Sequence, residues 1–373
     1  MSTSQHSNGV SNSNSELPHF EYKLPRLFLV FLRWAGFVEE SDRNFKSKFI
    51  WIFFYVIQLL ASAFMVTVVC LQRQVLEKML VSVTSLACNQ AIWHCMRYKR
   101  KTLTAVLQRM QLNHLPLSKL TINFSIFVIL CMPTIILILR VYLEHSVFWR
   151  YSLGQLIEYF VLHLTIPTCI FFLADFLLPC LITLLYCSLC FRCSKFINNL
   201  TNEIENISPQ QFGPCVQFDI LKRKSKVDDV LEDLENIFSK PSLFLIMLNF
   251  VTCVYHLGTM LVVSWGYRHI IIESLFYSVV HFICVTAVFW SAGSVPVALN
   301  KLNRFFYRKA HSRLILVCST SEGRKLKREL VEKPEFVLTG CDVIVYRRSS
   351  ILAFVGTLLT YSIITMDIKD KNH

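Results

Sequence analysis

Near the end of the chain Ala353, Thr357, Thr360, Ile364 and Asp367 recur three or four residues apart, a spacing that places all five on one face of a helix. Side-chain oxygens in line on an otherwise apolar helix suit ion passage. Hydroxyls replace the hydration of a cation, Ile364 supplies a hydrophobic constriction, and Ala353 leaves its end of the face wide. Asp367 supports two readings of equal weight, a cation-attracting carboxylate or a polar residue that ends the helix at the membrane surface.

A second set lies in the apolar stretches upstream. Tyr142, Glu158, Tyr159, His163, Tyr255, His256, Thr259, Glu273, Tyr277 and His281 fall in the outer halves of the third to sixth candidate spans. Aromatic walls with a few polar groups suit a small organic ligand, the aromatic excess leaning toward apolar bitter compounds over sugars. By depth, His163, His256 and Tyr277 are the best placed. A Tyr or His at a membrane interface also serves as an anchor. No spacing among them suggests a metal site. The overlapping Cys-x-x-Cys pair at Cys187, Cys190 and Cys193 has no His or carboxylate at ligand distance, so buried thiols are expected there. The chain has no nucleophile elbow, zinc-protease helix or phosphate loop, and neither an enzyme nor a cofactor is expected.

The elements that carry these residues are membrane spans. Of the 373 residues 54% are hydrophobic and 17% charged, against about 25% charged in soluble domains. Runs long enough to cross the bilayer cover 49–71, 120–139, 242–267 and 274–300, with shorter ones at 79–96 and 349–366. A seventh, 159–191, is interrupted only by Asp175. It is too short for two spans and a turn, so it reads as one long helix bent at Pro167 or Pro179. Asp175, inside the membrane, reads as functional or as the partner of a polar group on a neighbouring helix.

With seven spans, 31 of the 38 Lys and Arg residues fall on the side of the N-terminus and 7 on the other. Basic loops stay cytoplasmic, which places the N-terminus inside and the C-terminus outside, the reverse of a G-protein-coupled receptor. The net charge of +13 is thereby a topology signal rather than a nucleic-acid footprint. None of the fourteen cysteines lies in an outer loop, so no extracellular disulfide framework is expected. The glycosylation patterns at Asn123, Asn199 and Asn206 fall on the inner side and should stay unmodified. A transporter would show repeated halves, and none is seen.

The fold class expected is all-α and polytopic, with long fourth to sixth helices that run on into a cytoplasmic anchor bundle. Residues 1–24 form a disordered inner tail, and residues 25–300 a six-helix membrane domain with the ligand pocket. Residues 301–348 form an anchor segment, and 349–373 a pore-lining seventh helix with a short outer tail. The stretch 25–38 suits an interfacial helix. Val230, Leu231, Leu234 and Ile237, with acids between them, predict an amphipathic helix leading into the fifth span. Residues 301–309 continue the sixth span, and the stretch from Ser321 to Lys333 reads as a polar turn and a short helix.

The last span holds Thr360 and Tyr361, then five mostly apolar residues, then Asp367 and Ile368. This resembles the signature of insect gustatory receptors, Thr-Tyr, five hydrophobics, Gln-Phe, with Asp367 and Ile368 in place of the final pair. Length, span number, inverted orientation and short outer loops extend the resemblance, to a divergent member. The region 339–350 sits where that family places a short cytoplasmic helix, with Arg347 where an Asp is common. The related insect odorant receptors come second. The resemblance implies a non-selective cation channel of the sensory-neuron plasma membrane, assembled from four like or related subunits and opened by a small organic tastant. The last span of each subunit would line one pore. Asp367 would then form an acidic ring at the outer mouth, and the gate would lie at Asp367 and Ile368. Tyr361 would pack on the fifth and sixth spans.

Overall fold

The computed structural model describes residues 25–38, 52–60, 62–64, 67, 76–112, 119–143, 165–166, 169, 172, 176–262, 268–317 and 336–371. Among them, nine helices and one hairpin follow in order. The helices are α1 (Arg26–Trp34), α2 (Ile52–Phe64), α3 (Leu76–Tyr98), α4 (Arg100–Leu112) and α5 (Lys119–Leu143). They continue with α6 (Leu177–Asn206), α7 (Pro214–Val262), α8 (Arg268–Val317) and α9 (Ser350–Lys371). The hairpin, β1 (Thr339–Gly340) and β2 (Ile344–Val345), precedes α9. The protein is mostly helical, and four described helices are long and apolar enough to cross a membrane: α5, α6, α7 and α8. Helices α2 and α9 are shorter apolar ones.

At 49 and 50 residues, α7 and α8 are each about 75 Å long, more than twice a hydrocarbon core. Each therefore extends well beyond a bilayer, as the apolar periodicity required. In the extension of α7, Val227, Val230, Leu231, Leu234, Ile237 and Phe238 are all buried. Steps of three and four put them on one face, with the acids outside. The helix passes Pro241, which has no N–H for the Ile237 carbonyl. Beside that gap Ser242 Oγ donates to the Phe238 carbonyl, 2.5 Å away.

The core runs along α6, α7 and α8. Tyr186 of α6 lies 5.0 Å from Phe238 of α7, and Tyr346 after the hairpin sits edge-on to Tyr186 and Phe289. All three of the Cys187, Cys190 and Cys193 thiols belong to this helix, with Cys190 and Cys193 buried, and each is free. Pro179 stands in the first turn of α6, where a missing N–H costs nothing. Pro167, the other expected bend, lies outside the described residues.

Helix α1 lies within the stretch 25–38 expected to be interfacial, and it has two faces. Phe28, Leu29 and Leu32 are buried while Leu27, Val30 and Trp34 are exposed. Gly36 at φ 78° ends it, with its N–H on the Arg33 carbonyl and that of Phe37 on Leu32, a Schellman cap.

One expectation is corrected. The resemblance places a short helix at 339–350, and the chain forms the hairpin there instead. Cys341 and Asp342 at its turn have φ of 53° and 58°, which no helix accommodates.

Candidate functional site

Helix α9 is attached to the rest of the chain by one stripe. Phe354 and Leu358 are buried, and Ile351, Val355 and Ser362 are half-buried on the same side. The Phe354 ring lies 5.5 Å from Phe250 of α7 and 5.8 Å from Phe282 of α8. The five residues read from the sequence as a pore face, Ala353, Thr357, Thr360, Ile364 and Asp367, are all exposed. At 100° per residue their stripe is turned about 150° from the buried one. A third exposed stripe holds Leu352, Leu359 and Ile363 and is purely apolar. Ile368 lies within α9, and its side chain is outside the described residues.

The hydroxyl hydrogens on the threonine stripe are spent inside the helix. Thr357 donates to the Ala353 carbonyl and Thr360 to Gly356, each at 2.9 Å. Each oxygen keeps its acceptor lone pairs, on residues that are exposed. Tyr361 does not share this stripe. Its hydroxyl would stand 3.1 Å from a Cβ at Gly258 of α7, so the glycine makes room for it.

The hairpin joins this helix to the extensions of α7 and α8. Thr339 donates its N–H to both oxygens of Glu235, at 3.0 and 3.1 Å, and its hydroxyl to Oε1. Burial pushes the Glu235 carboxyl up from its ordinary range, the Thr339 donors oppose this, and Asp342 adds to it. The buried Tyr346 hydroxyl pairs with Ser242 Oγ at 2.7 Å, beneath Gly340, where a Cβ would collide with it. On α8, Gly293 lets the Arg348 backbone approach, and the Arg348 guanidinium lies 4.5 Å from the Trp290 ring centre. Sequence reasoning missed Glu235, Ser242 and Tyr346. A carboxylate at the mouth of an apolar helix face was the available signal.

Toward the other end of α7 and α8 the structure brings together part of the second predicted set. His256 of α7 stacks on Tyr277 of α8, centroids 5.0 Å apart, and lies 6.5 Å from the parallel ring of His281. Tyr255 stands edge-on to His256 at 5.3 Å, and Phe176 to His281 at 6.0 Å. His281 Nδ1 is hydrogen-bonded to Asn249 Oδ1 at 2.8 Å, while Asn249 donates to the Leu245 carbonyl. Below them Cys253 Sγ lies 3.3 Å from Ser278 Oγ. The buried Nδ1 of His256, by contrast, has no hydrogen-bond partner. Thr259 is half-buried on the same helix and donates to the Tyr255 carbonyl.

The remaining members divide in two. Tyr142 on α5 is 76% exposed, and Glu273 is on α8. Glu158, Tyr159, His163 and Asp175 lie outside the described residues, as do residues 1–24 and 318–335. Asn249, Ser278 and Phe176 join the cluster without having been anticipated. No group of three or more metal-ligating side chains occurs among the described residues.

No protein-family model matches the sequence, and no curated protein matches it. Solved structures do share the fold. The insect olfactory receptor OR5 from Machilis hrabei superposes with a TM-score of 0.69 at 13% identity, over 92% of this chain and 97% of that one. The same receptor in complex with eugenol gives 0.68 at 11% identity, with the same coverage. At such identity the likeness is one of fold: this chain has the architecture of insect olfactory receptors. These neighbours are receptors, not enzymes.

Proposed function

We propose that the protein is a subunit of an insect chemosensory receptor, a cation channel opened by a small organic molecule. The observation that carries this reading is the shared fold, which spans nearly the whole of both chains. The His256, Tyr277 and His281 cluster supports the ligand: ring stacking together with one buried unpartnered nitrogen suits a small aromatic or hydroxylated compound. A structural neighbour is described in complex with eugenol, a compound of that size.

In this reading the chain crosses the membrane seven times with its N-terminus inside. Four copies surround a pore lined by α9, with Ala353, Thr357, Thr360, Ile364, Asp367 and Ile368 toward the axis. The ligand enters from outside toward Tyr255, His256, Thr259, Tyr277 and His281, with Tyr142, Glu158, Tyr159 and His163 completing the approach. The long extensions of α6 to α8 hold the subunits together, and the protein works at the plasma membrane of a sensory neuron.

The Thr360-Tyr361 pair favours taste, and the shared fold equally favours an olfactory role. Expression alone and with related subunits, followed by current recording under tastants and volatiles, decides between them. A current evoked by non-volatile tastants alone supports the first. Surface expression with no ligand-evoked current in any subunit combination overturns the channel reading.

A further inference from the structure

The hydrogen bonds inside the histidine cluster fix which kind of group a ligand must bring to it. On α7, Asn249, Thr252, His256 and Thr259 follow one another three or four residues apart, so one face of the helix carries them all. Hydrogens on that face are already engaged within the helix. Thr252 donates to the Leu248 carbonyl at 2.8 Å and Thr259 to that of Tyr255 at 2.9 Å. Asn249 turns its Nδ2 to the Leu245 carbonyl at 2.6 Å, which leaves its Oδ1 for α8.

That orientation sets the tautomer of His281. Its Nδ1 stands 2.8 Å from Asn249 Oδ1, an atom that only accepts, so Nδ1 carries the hydrogen and donates it. His281 is 4% exposed and forms no ion pair among the described residues, and a buried imidazole without a counter-charge stays neutral. A neutral ring has a single N–H. Nε2 is therefore an acceptor, on the edge of the ring away from Asn249, and it has no hydrogen-bond partner among the described residues. The surrounding walls are flat rings: His256 stacked on Tyr277, and Phe176 edge-on to His281. The cluster thus offers aromatic faces and acceptor lone pairs, with its hydroxyl hydrogens on α7 withdrawn.

We propose that this site selects small aromatic compounds that donate a hydrogen bond, phenols and aryl alcohols, over their methyl ethers. The ligand hydroxyl gives its hydrogen to His281 Nε2, and the ligand ring lies against His256 and Tyr277. An ether of the same shape brings an acceptor to an acceptor and leaves Nε2 without a partner. Asn249 is a positioning residue here, since it acts only through the tautomer it imposes. The inference rests on the ligand site proposed above and adds the direction of its hydrogen bond.

The test uses the full-length protein in phosphatidylcholine nanodiscs, with empty nanodiscs subtracted, and matched probes: para-ethylphenol against para-ethylanisole, and phenylethanol against its methyl ether. Binding is titrated by saturation-transfer NMR. The hydroxyl member of each pair is expected to bind about tenfold more tightly than its ether, the worth of one hydrogen bond. His281→Phe alone strands Asn249 Oδ1, so the variant is made together with Asn249→Leu, which removes both partners and keeps an apolar contact. In that double variant the two members of a pair should bind equally, with the ether affinity unchanged. Equal binding of phenol and ether by the wild-type protein overturns the proposal, as does binding of neither. A preference that persists undiminished in the double variant overturns it too, because the hydroxyl then meets another group. Currents evoked equally by phenols and ethers would sink the selectivity and leave the channel reading standing, whereas selective binding without any current would do the reverse.

Discussion

His256 and His281 belong to one cluster but differ in what holds them. His281 is satisfied by Asn249, so removing that partner leaves a buried polar nitrogen without a hydrogen bond, at a cost of about 1–3 kcal/mol. His256 Nδ1 already has none. Asn249→Leu is therefore expected to lower thermal stability, whereas His256→Phe should keep the stack on Tyr277 and leave the melting temperature unchanged or raised. If the free nitrogen meets ligand, the same His256→Phe raises the half-maximal agonist concentration about tenfold, the worth of one hydrogen bond. Unchanged agonist sensitivity would make His256 a packing residue only. The histidines and Tyr277 were legible because polar rings stand out in an apolar run. Asn249 was not, because its partner lies 32 residues away on another helix and no linear spacing reports a pair across helices.

The hairpin is the element through which α9 is joined to the long helices, and its attachment is expected to depend on pH. Burial, the largest influence on Glu235, raises its carboxyl above the unfolded value. The folded state then holds the proton more tightly, so the contribution is complete below the unfolded value and is lost as pH rises through the folded one. Amide exchange at Thr339 is expected to show greater protection toward mildly acid pH, and Glu235→Gln to flatten that dependence. Protection that instead rises with pH in the wild type would refute the sign. Gly340→Ala forces its Cβ onto the Tyr346 hydroxyl and should destabilise by about 1–3 kcal/mol, read as a lower melting temperature. The long helices were legible from apolar period and length, down to the buried face at Val230, Leu231, Leu234 and Ile237. The hairpin was not, for two-residue strands have no period to read. Its turn is made by Cys341 and Asp342 rather than by a glycine pair.

At the scale of the whole molecule, α9 has three stripes and only one of them is covered by the rest of the chain. The other two are exposed alike in a single chain, yet they differ in chemistry. Leu352, Leu359 and Ile363 are 75%, 59% and 67% exposed and carry no polar atom, as suits lipid. The stripe with Thr357, Thr360 and Asp367 is turned farther from the covered one and has its oxygens in line. In a fourfold assembly with α9 innermost, the threonine stripe would meet water and the leucine stripe hydrocarbon. Single cysteines separate these cases in a background where Cys169 and Cys215, exposed among the described residues, and Cys70 and Cys318, outside them, are serines. Thr357→Cys and Thr360→Cys should react with a charged, water-soluble thiol reagent and lose ligand-evoked current. Leu352→Cys, Leu359→Cys and Ile363→Cys should not react, because a thiolate does not form in hydrocarbon. Asp367→Asn should lower single-channel conductance, most at low ionic strength, where a carboxylate ring concentrates cations most strongly. Equal modification of both stripes would place α9 outside the pore and leave Asp367 as the polar end of a helix.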